Sequence, residues 1–109
     1  MANFFRNKVI KEVGTTSIEM LRLPDNSRAT VIGMSISNLT EGNVLVSVEV
    51  EDDNGTTGFY VKDVLVPTNT TLKALNGGEK LILAPENAIF IRSNQDDSVD
   101  VVLSYVEIV

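Results

Sequence analysis

Residues 42–66 read GNVLVSVEVEDDNGTTGFYVKDVLV. In the first half, Val44, Val46, Val48 and Val50 alternate with Ser47, Glu49 and Glu51. Successive side chains of a strand point to opposite faces, so this spacing predicts a strand with one valine face and one wet face. Asp53-Asn54-Gly55 separates it from a second strand-like run, 56–66. An Asn-Gly pair between two such runs is a strong hairpin signal because both residues tolerate positive φ. Residues 42–66 are therefore expected to form an antiparallel hairpin. In its second arm Phe59 and Val61 share one phase and Val64 and Val66 the other. That slip predicts a β-bulge near Lys62-Asp63, in preference to a strand crossing between sheets.

Outward from the hairpin the pattern persists. Residues 29–38 alternate Ile32, Met34 and Ile36 with Gly33, Ser35 and Ser37, a strand whose small-residue face lets another surface approach closely. After Pro67 come short runs at 71–75, 79–84 and 88–93, separated by Asn76-Gly77-Gly78 and Pro85-Glu86-Asn87, both turn-forming. The last run, 98–109, is apolar on both faces: Val99, Val101, Leu103 and Tyr105 lie opposite Val102, Val106 and Ile108. Such a strand is central in its sheet or covered by a partner. Residues 8–13 and 16–23 can also be strands. Residues 1–7 show no clear pattern and are read as an extended N-terminal arm, with Phe4 and Phe5 docking on their own chain or on a neighbour.

The expected fold is all-β: an antiparallel two-sheet β-sandwich or jelly-roll-like barrel of about eight strands with an N-terminal arm, as one domain over residues 1–109. Its expected core is Ile32, Met34, Ile36, Val44, Val46, Val48, Phe59, Val61, Leu81, Leu83, Ile89, Ile91, Val101 and Leu103.

Composition narrows the function. The chain has 109 residues, 43% hydrophobic and 22% charged, a globular balance. With neither Cys nor His, the triads that need a thiol or an imidazole base are excluded, and so are disulfides and thiolate metal sites. The absence of cysteine fits synthesis in a reducing cytoplasm, and 1–10 lacks the apolar stretch of a signal peptide. No membrane-spanning segment is expected. The net charge is −6, but residues 1–30 carry five cations against three carboxylates, a surplus of +2, which leaves −8 on the rest. An acidic body disfavours direct nucleic-acid binding. A basic N-terminal segment beside it allows docking onto a neighbouring copy.

Other motifs yield to plainer readings. Glu49, Glu51, Asp52, Asp53 and Asp63 cluster in sequence, yet alternation places the glutamates on a solvated face and the aspartates beside a turn, so glycosidase-type carboxylates are not expected. Aligning Gly55 with the glycine of a calcium loop puts Val50 and Val61 at ligand positions, and Gly77-Gly78 lacks the Lys-Ser/Thr of a phosphate loop. Neither a metal nor another cofactor is expected. Sequons at Asn38, Asn54 and Asn69 read as chance in a Thr-rich surface. The chain has no Trp to serve as a sugar platform, so a monomeric glycan-binding module is a distant alternative.

One resemblance adds to this. The strand ATVIGMSISN (29–38), the valine-rich hairpin, YVKDVLVP (60–67), GGEKLIL (77–83) and VDVVLSYVEI (99–108) together resemble the small virion proteins of tailed bacteriophages, over about residues 29–109. The resemblance implies a non-enzymatic structural protein of a phage particle, made in the host cytoplasm. Capsid decoration (cement) is the first role, with the major capsid protein as partner and a homo-oligomer, most simply a trimer, as the working form. A neck, tail or baseplate component is the alternative. The expected interface is Phe4, Phe5, Arg6, Lys8 and Lys11 of the arm, with Val102, Val106 and Ile108 of the last strand.

Overall fold

The valine alternation does form a strand, β4 (Val44–Glu51), hydrogen-bonded antiparallel to β5 (Thr57–Val66). In the computed structural model, which describes residues 2–75 and 78–109, the turn between them is fixed by Asp52. Its carboxylate accepts from the amides of Asn54 and Thr56, and its carbonyl from Gly55. Only Gly55 takes positive φ (82°), so the link is a tight turn closed by a left-handed glycine, and Asn54 does not use its tolerance of that region. The bulge expected at Lys62-Asp63 is present: Val46 faces Val64 and Val48 faces Val61, leaving one extra residue in β5. Asp63 adopts φ 48° there, and its amide donates to Ser47 Oγ at 2.9 Å.

The remaining strands are β1 (Asn3–Val13), β2 (Ile18–Arg22), β3 (Arg28–Asn38), β6 (Thr71–Lys73), β7 (Leu81–Leu83), β8 (Ala88–Ser93) and β9 (Val99–Ile108), nine among the described residues. They form two antiparallel sheets: β1-β9-β3-β6, with β7 also on β3, and β2-β8-β4-β5. The pairings are nested, β4 with β5, β3 with β6 and β7, β2 with β8, and β1 with β9. The chain is thus one long antiparallel ribbon with the β4–β5 hairpin at its tip, rolled so that successive ribbon pairs fall in opposite sheets. That is the jelly-roll arrangement, which leaves few open edges. The Asn76-Gly77 part of the expected turn lies outside the described residues.

The core between the sheets contains Met34, Ile36, Val44, Val46, Val48, Leu83, Ile89, Ile91, Val101 and Leu103, as expected. Val61 and Leu81 are half-buried against it. Two expected members are outside. Ile32 is the extra residue of a bulge between Val31 (facing Tyr105) and Gly33 (facing Ser104). The bulge turns Ile32 to solvent at 45% exposure, while Ala29 and Val31 are buried in its stead. Phe59 faces Glu49 across a second bulge of β5, which moves it to the outer phase. It lies there against the cations of Lys62 and Arg92.

Residues 3–7 are no separate arm. They are the first half of β1, in continuous register with β9 from Asn3 facing Ile108 to Ile10 facing Val101. The pattern was obscured because this half overhangs the second sheet: Phe4, Arg6 and Lys8 occupy inward phase positions, opposite Glu107, Tyr105 and Leu103, yet stay exposed.

Candidate assembly surface

The two outer faces of the sandwich differ in chemistry. On the β2-β8-β4-β5 face, Arg22 bridges Glu19 at 2.7 Å and Glu51 at 2.8 Å, and Arg92 bridges Glu49 at 2.7 Å. These cations also lie over aromatic rings, Arg22 over Phe90 and Arg92 over Phe59. The bonds to Glu51 and then Glu19 raise the Arg22 pKa above its ordinary value, fixing its charge. Charge dresses the middle of this face, and Phe59 and Leu65 of the edge strand β5 stay exposed beside it.

Among the described residues, the outer face of the β1-β9-β3 sheet carries no such ion pairs, and its charges are single ones at Arg28 and Lys73. Residues directly opposite in an antiparallel pair share a face, so the register builds rows across it. Phe5, Val106, Thr30 and Ile82 form one row over β1, β9, β3 and β7, and Val9, Val102, Ser35 and Lys73 another over β1, β9, β3 and β6. Between them lie Asn7, Ser104 and Gly33. Phe5 is 82% exposed, Ile82 66% and Val9 62%. The small side chains in the middle leave an open depression of ≈ 520 Å³, bordered by Ile32, Gly33, Ser35, Lys73, Val102 and Ser104. Ile32 and Val102 stand on one part of its border and Ser35 and Lys73 on another, and the small-residue floor leaves room for close approach by another surface.

The structure divides the expected interface residues. Phe5, Val102, Val106 and Ile108 share this outer face, Ile108 in the end row with Asn3 and Arg28. Phe4 lies on the opposite side of β1, with the Arg6 guanidinium 5.0 Å from its ring, so the two phenylalanines do not enter one groove together. Arg6 is engaged by Glu107 at 2.8 Å. Lys8 and Lys11 are exposed, Lys11 at the irregularity between Ile10 and Val13. Sequence reading missed Val9 and Ile82. Val9 lies in 8–13, a possible strand to which the sequence assigns no face, and Ile82 alternates out of phase with Leu81 and Leu83 in a very short strand.

Among the described residues, buried polar side chains all find partners within the chain. Asn38, 7% exposed, donates to the carbonyls of Gly42 and Val66 and accepts from the amide and hydroxyl of Thr40. Its sequon is thus a buried brace for the β3–β4 loop. Tyr60 donates to Glu79, and desolvation, then that bond, pushes the phenol up to about 12.

No protein-family model and no curated protein matches the chain. Solved structures do share its fold. A Bacillus endospore appendage protein, from a family described as disulfide-linked pili, aligns with TM-score 0.57 at 10% identity over 96% of this chain and 86% of that one. The capsid structure of Helicobacter pylori bacteriophage KHP30 contains a chain that aligns with TM-score 0.54 at 12% identity, covering 100% of this chain and 89% of that one. A protein of the T13 particle of infectious bursal disease virus aligns with TM-score 0.55 at 9% identity over 96% of this chain, which spans only 30% of the viral one. At these identities the likeness is one of fold: the chain is a jelly-roll β-sandwich.

Proposed function

We propose that this chain is a non-catalytic structural subunit of a phage particle, a decoration (cement) protein that attaches to the capsid shell. The observation that carries the reading is the unequal dressing of the two outer faces, one laced with ion pairs and the other, among the described residues, free of them, with exposed Phe5, Val9, Ile82 and Val102 around a small-residue floor. A protein that works by attachment needs one such face, and a freely soluble module gains nothing from it. The likeness in fold to a chain of the KHP30 capsid structure, aligned over 89% of its length, supports a place in a capsid. The major capsid protein is the proposed partner and a homo-oligomer, most simply a trimer, the proposed working form.

A neck, tail or baseplate part is the second reading, supported by the likeness to pilus subunits. With no cysteine, this chain has no means of making the disulfide links named for those pili, so any such assembly is noncovalent. Electron microscopy of purified particles tests both readings. Density for the sandwich repeated over the whole shell supports decoration. Density confined to one axis replaces it with neck or tail, and absence from the particle overturns both. Light scattering coupled to size exclusion tests the oligomer separately.

A further inference from the structure

Among the described residues, β1 has one hydrogen-bonding neighbour, β9, and its other edge is open over the length of an 11-residue strand. Which backbone groups face that edge follows from the register. Ala2 and Val109 exchange both hydrogen bonds, at 3.0 and 2.9 Å. In an antiparallel ladder such pairs alternate with non-bonded ones. Phe4, Arg6, Lys8 and Ile10 therefore turn their amides and carbonyls towards β9, and Asn3, Phe5, Asn7 and Val9 turn theirs to the open edge. Every residue from Asn3 to Val9 is exposed, so a further strand can reach the backbone there.

We infer that this edge accepts an extended segment of a partner protein, added antiparallel to β1, with carboxylates two residues apart opposite Arg6 and Lys8. The inference deepens the assembly reading by assigning the partner's chemistry. Charge selects the occupant. Opposite the added strand, Arg6 and Lys8 fall in non-hydrogen-bonded pairs, where cross-strand side chains are closest. Lys8 has no ion pair among the described residues, and the side chain of Arg6, although bonded to Glu107, is 46% exposed. A second β1 is a poor occupant. The registers centred on Arg6, Asn7 or Lys8 set Arg6 against Arg6, Arg6 against Lys8, or Lys8 against Lys8, and like charges directly opposite are destabilising. The added strand's alternate residues fall beside Phe5 and Val9 and are best apolar, so the fitting segment alternates apolar and acidic residues.

The test uses the isolated full chain and two synthetic capped peptides, one alternating valine with glutamate and one valine with lysine. The glutamate peptide is expected to bind and to slow amide exchange at Asn3, Phe5, Asn7 and Val9, with the lysine peptide at least about tenfold weaker. Asn7→Pro removes an edge-facing donor without touching the ladder to β9, and is expected to weaken the glutamate peptide about tenfold or more. Should that variant misfold, Lys8→Glu serves the same end: it leaves one cation and one carboxylate on this face, and the parent chain's preference for the glutamate peptide is expected to disappear. Equal binding of both peptides to the parent chain, protection elsewhere, or no binding overturns the inference. If the chain is nevertheless found on the shell, the assembly reading stands and rests on the outer face alone.

Discussion

Arg6 Nε donates to Glu107 Oε1 at 2.8 Å, tying the edge strand β1 to β9 at the end of the sandwich where the chain's two termini meet. The other carboxylate oxygen accepts from Ser27 Oγ at 2.6 Å, so one side chain joins β1, β9 and the β2–β3 loop. The Ser27 bond, partly offset by desolvation and aided by Arg6, holds the Glu107 carboxyl below its ordinary pKa. A group whose folded pKa is depressed stabilises the fold above its unfolded value and loses that contribution as pH falls through the folded one. Glu107→Gln should therefore lower the urea midpoint at neutral pH. On acidification from about pH 5 to pH 3 it should lose less stability than the parent chain. Denaturation series at both pH values check this.

Asn38 satisfies four backbone and hydroxyl groups from a buried position, linking the end of β3 to the loop before β4 and to the carbonyl of Val66 at the end of β5. Asn38→Ala leaves the Val66 carbonyl buried without that donor, and its cost should be about 2–3 kcal/mol. Asn38→Asp should cost as much or more, since a carboxylate cannot donate to either carbonyl. Chemical denaturation measures both, and a loss close to zero would show that water replaces the amide.

Gly14 sits beneath the β8–β9 turn, where an added Cβ would lie 2.9 Å from Asp96 Oδ1 and 3.2 Å from Asp96 Cα. The side chain cannot simply swing away, because Asp96 Oδ1 accepts from the Thr15 amide and hydroxyl. Gly14→Ala should thus destabilise by about 1–3 kcal/mol, whereas Gly42→Ala, with nothing within 4 Å, should change stability by less than about 1 kcal/mol. The contrast in thermal midpoint between these variants is the measurement.

How far the sequence could be read depended on phase. Val44 to Val50 kept one phase against a buried face, so the strand, its hairpin and much of the core were legible. Ile32 and Phe59 were misplaced because each lies at a bulge. An extra residue leaves the local apolar spacing intact while exchanging the faces on either side. The first half of β1 was opaque for another reason: its inward positions at Phe4 and Arg6 stay exposed, so no burial forces an apolar alternation there. The outer face was half legible. Val102, Val106 and Ile108 showed themselves by making β9 apolar on both sides, but their neighbours Val9 and Ile82 come from strands whose pairing only the three-dimensional register reveals.

The assembly reading makes its sharpest prediction at Val9 and Val102, which face each other across β1 and β9 and are 62% and 43% exposed. Threonine keeps the branched shape and strand preference of valine, so the double variant Val9→Thr with Val102→Thr should shift the stability of the isolated chain by less than about 1 kcal/mol. Once a partner covers these positions, each new hydroxyl must be buried, at about 1–3 kcal/mol apiece where it finds no hydrogen bond. Attachment to particles stripped of this protein should accordingly weaken by about tenfold or more. Val101→Thr is the necessary contrast: one residue away on β9 but wholly buried, it should destabilise the fold itself. If the double variant rebinds particles as tightly as the parent chain, the outer face of the β1-β9-β3 sheet is not the attachment surface. Loss of binding with an unchanged denaturation midpoint locates the partner on the row that runs from Val9 through Val102 to Ser35.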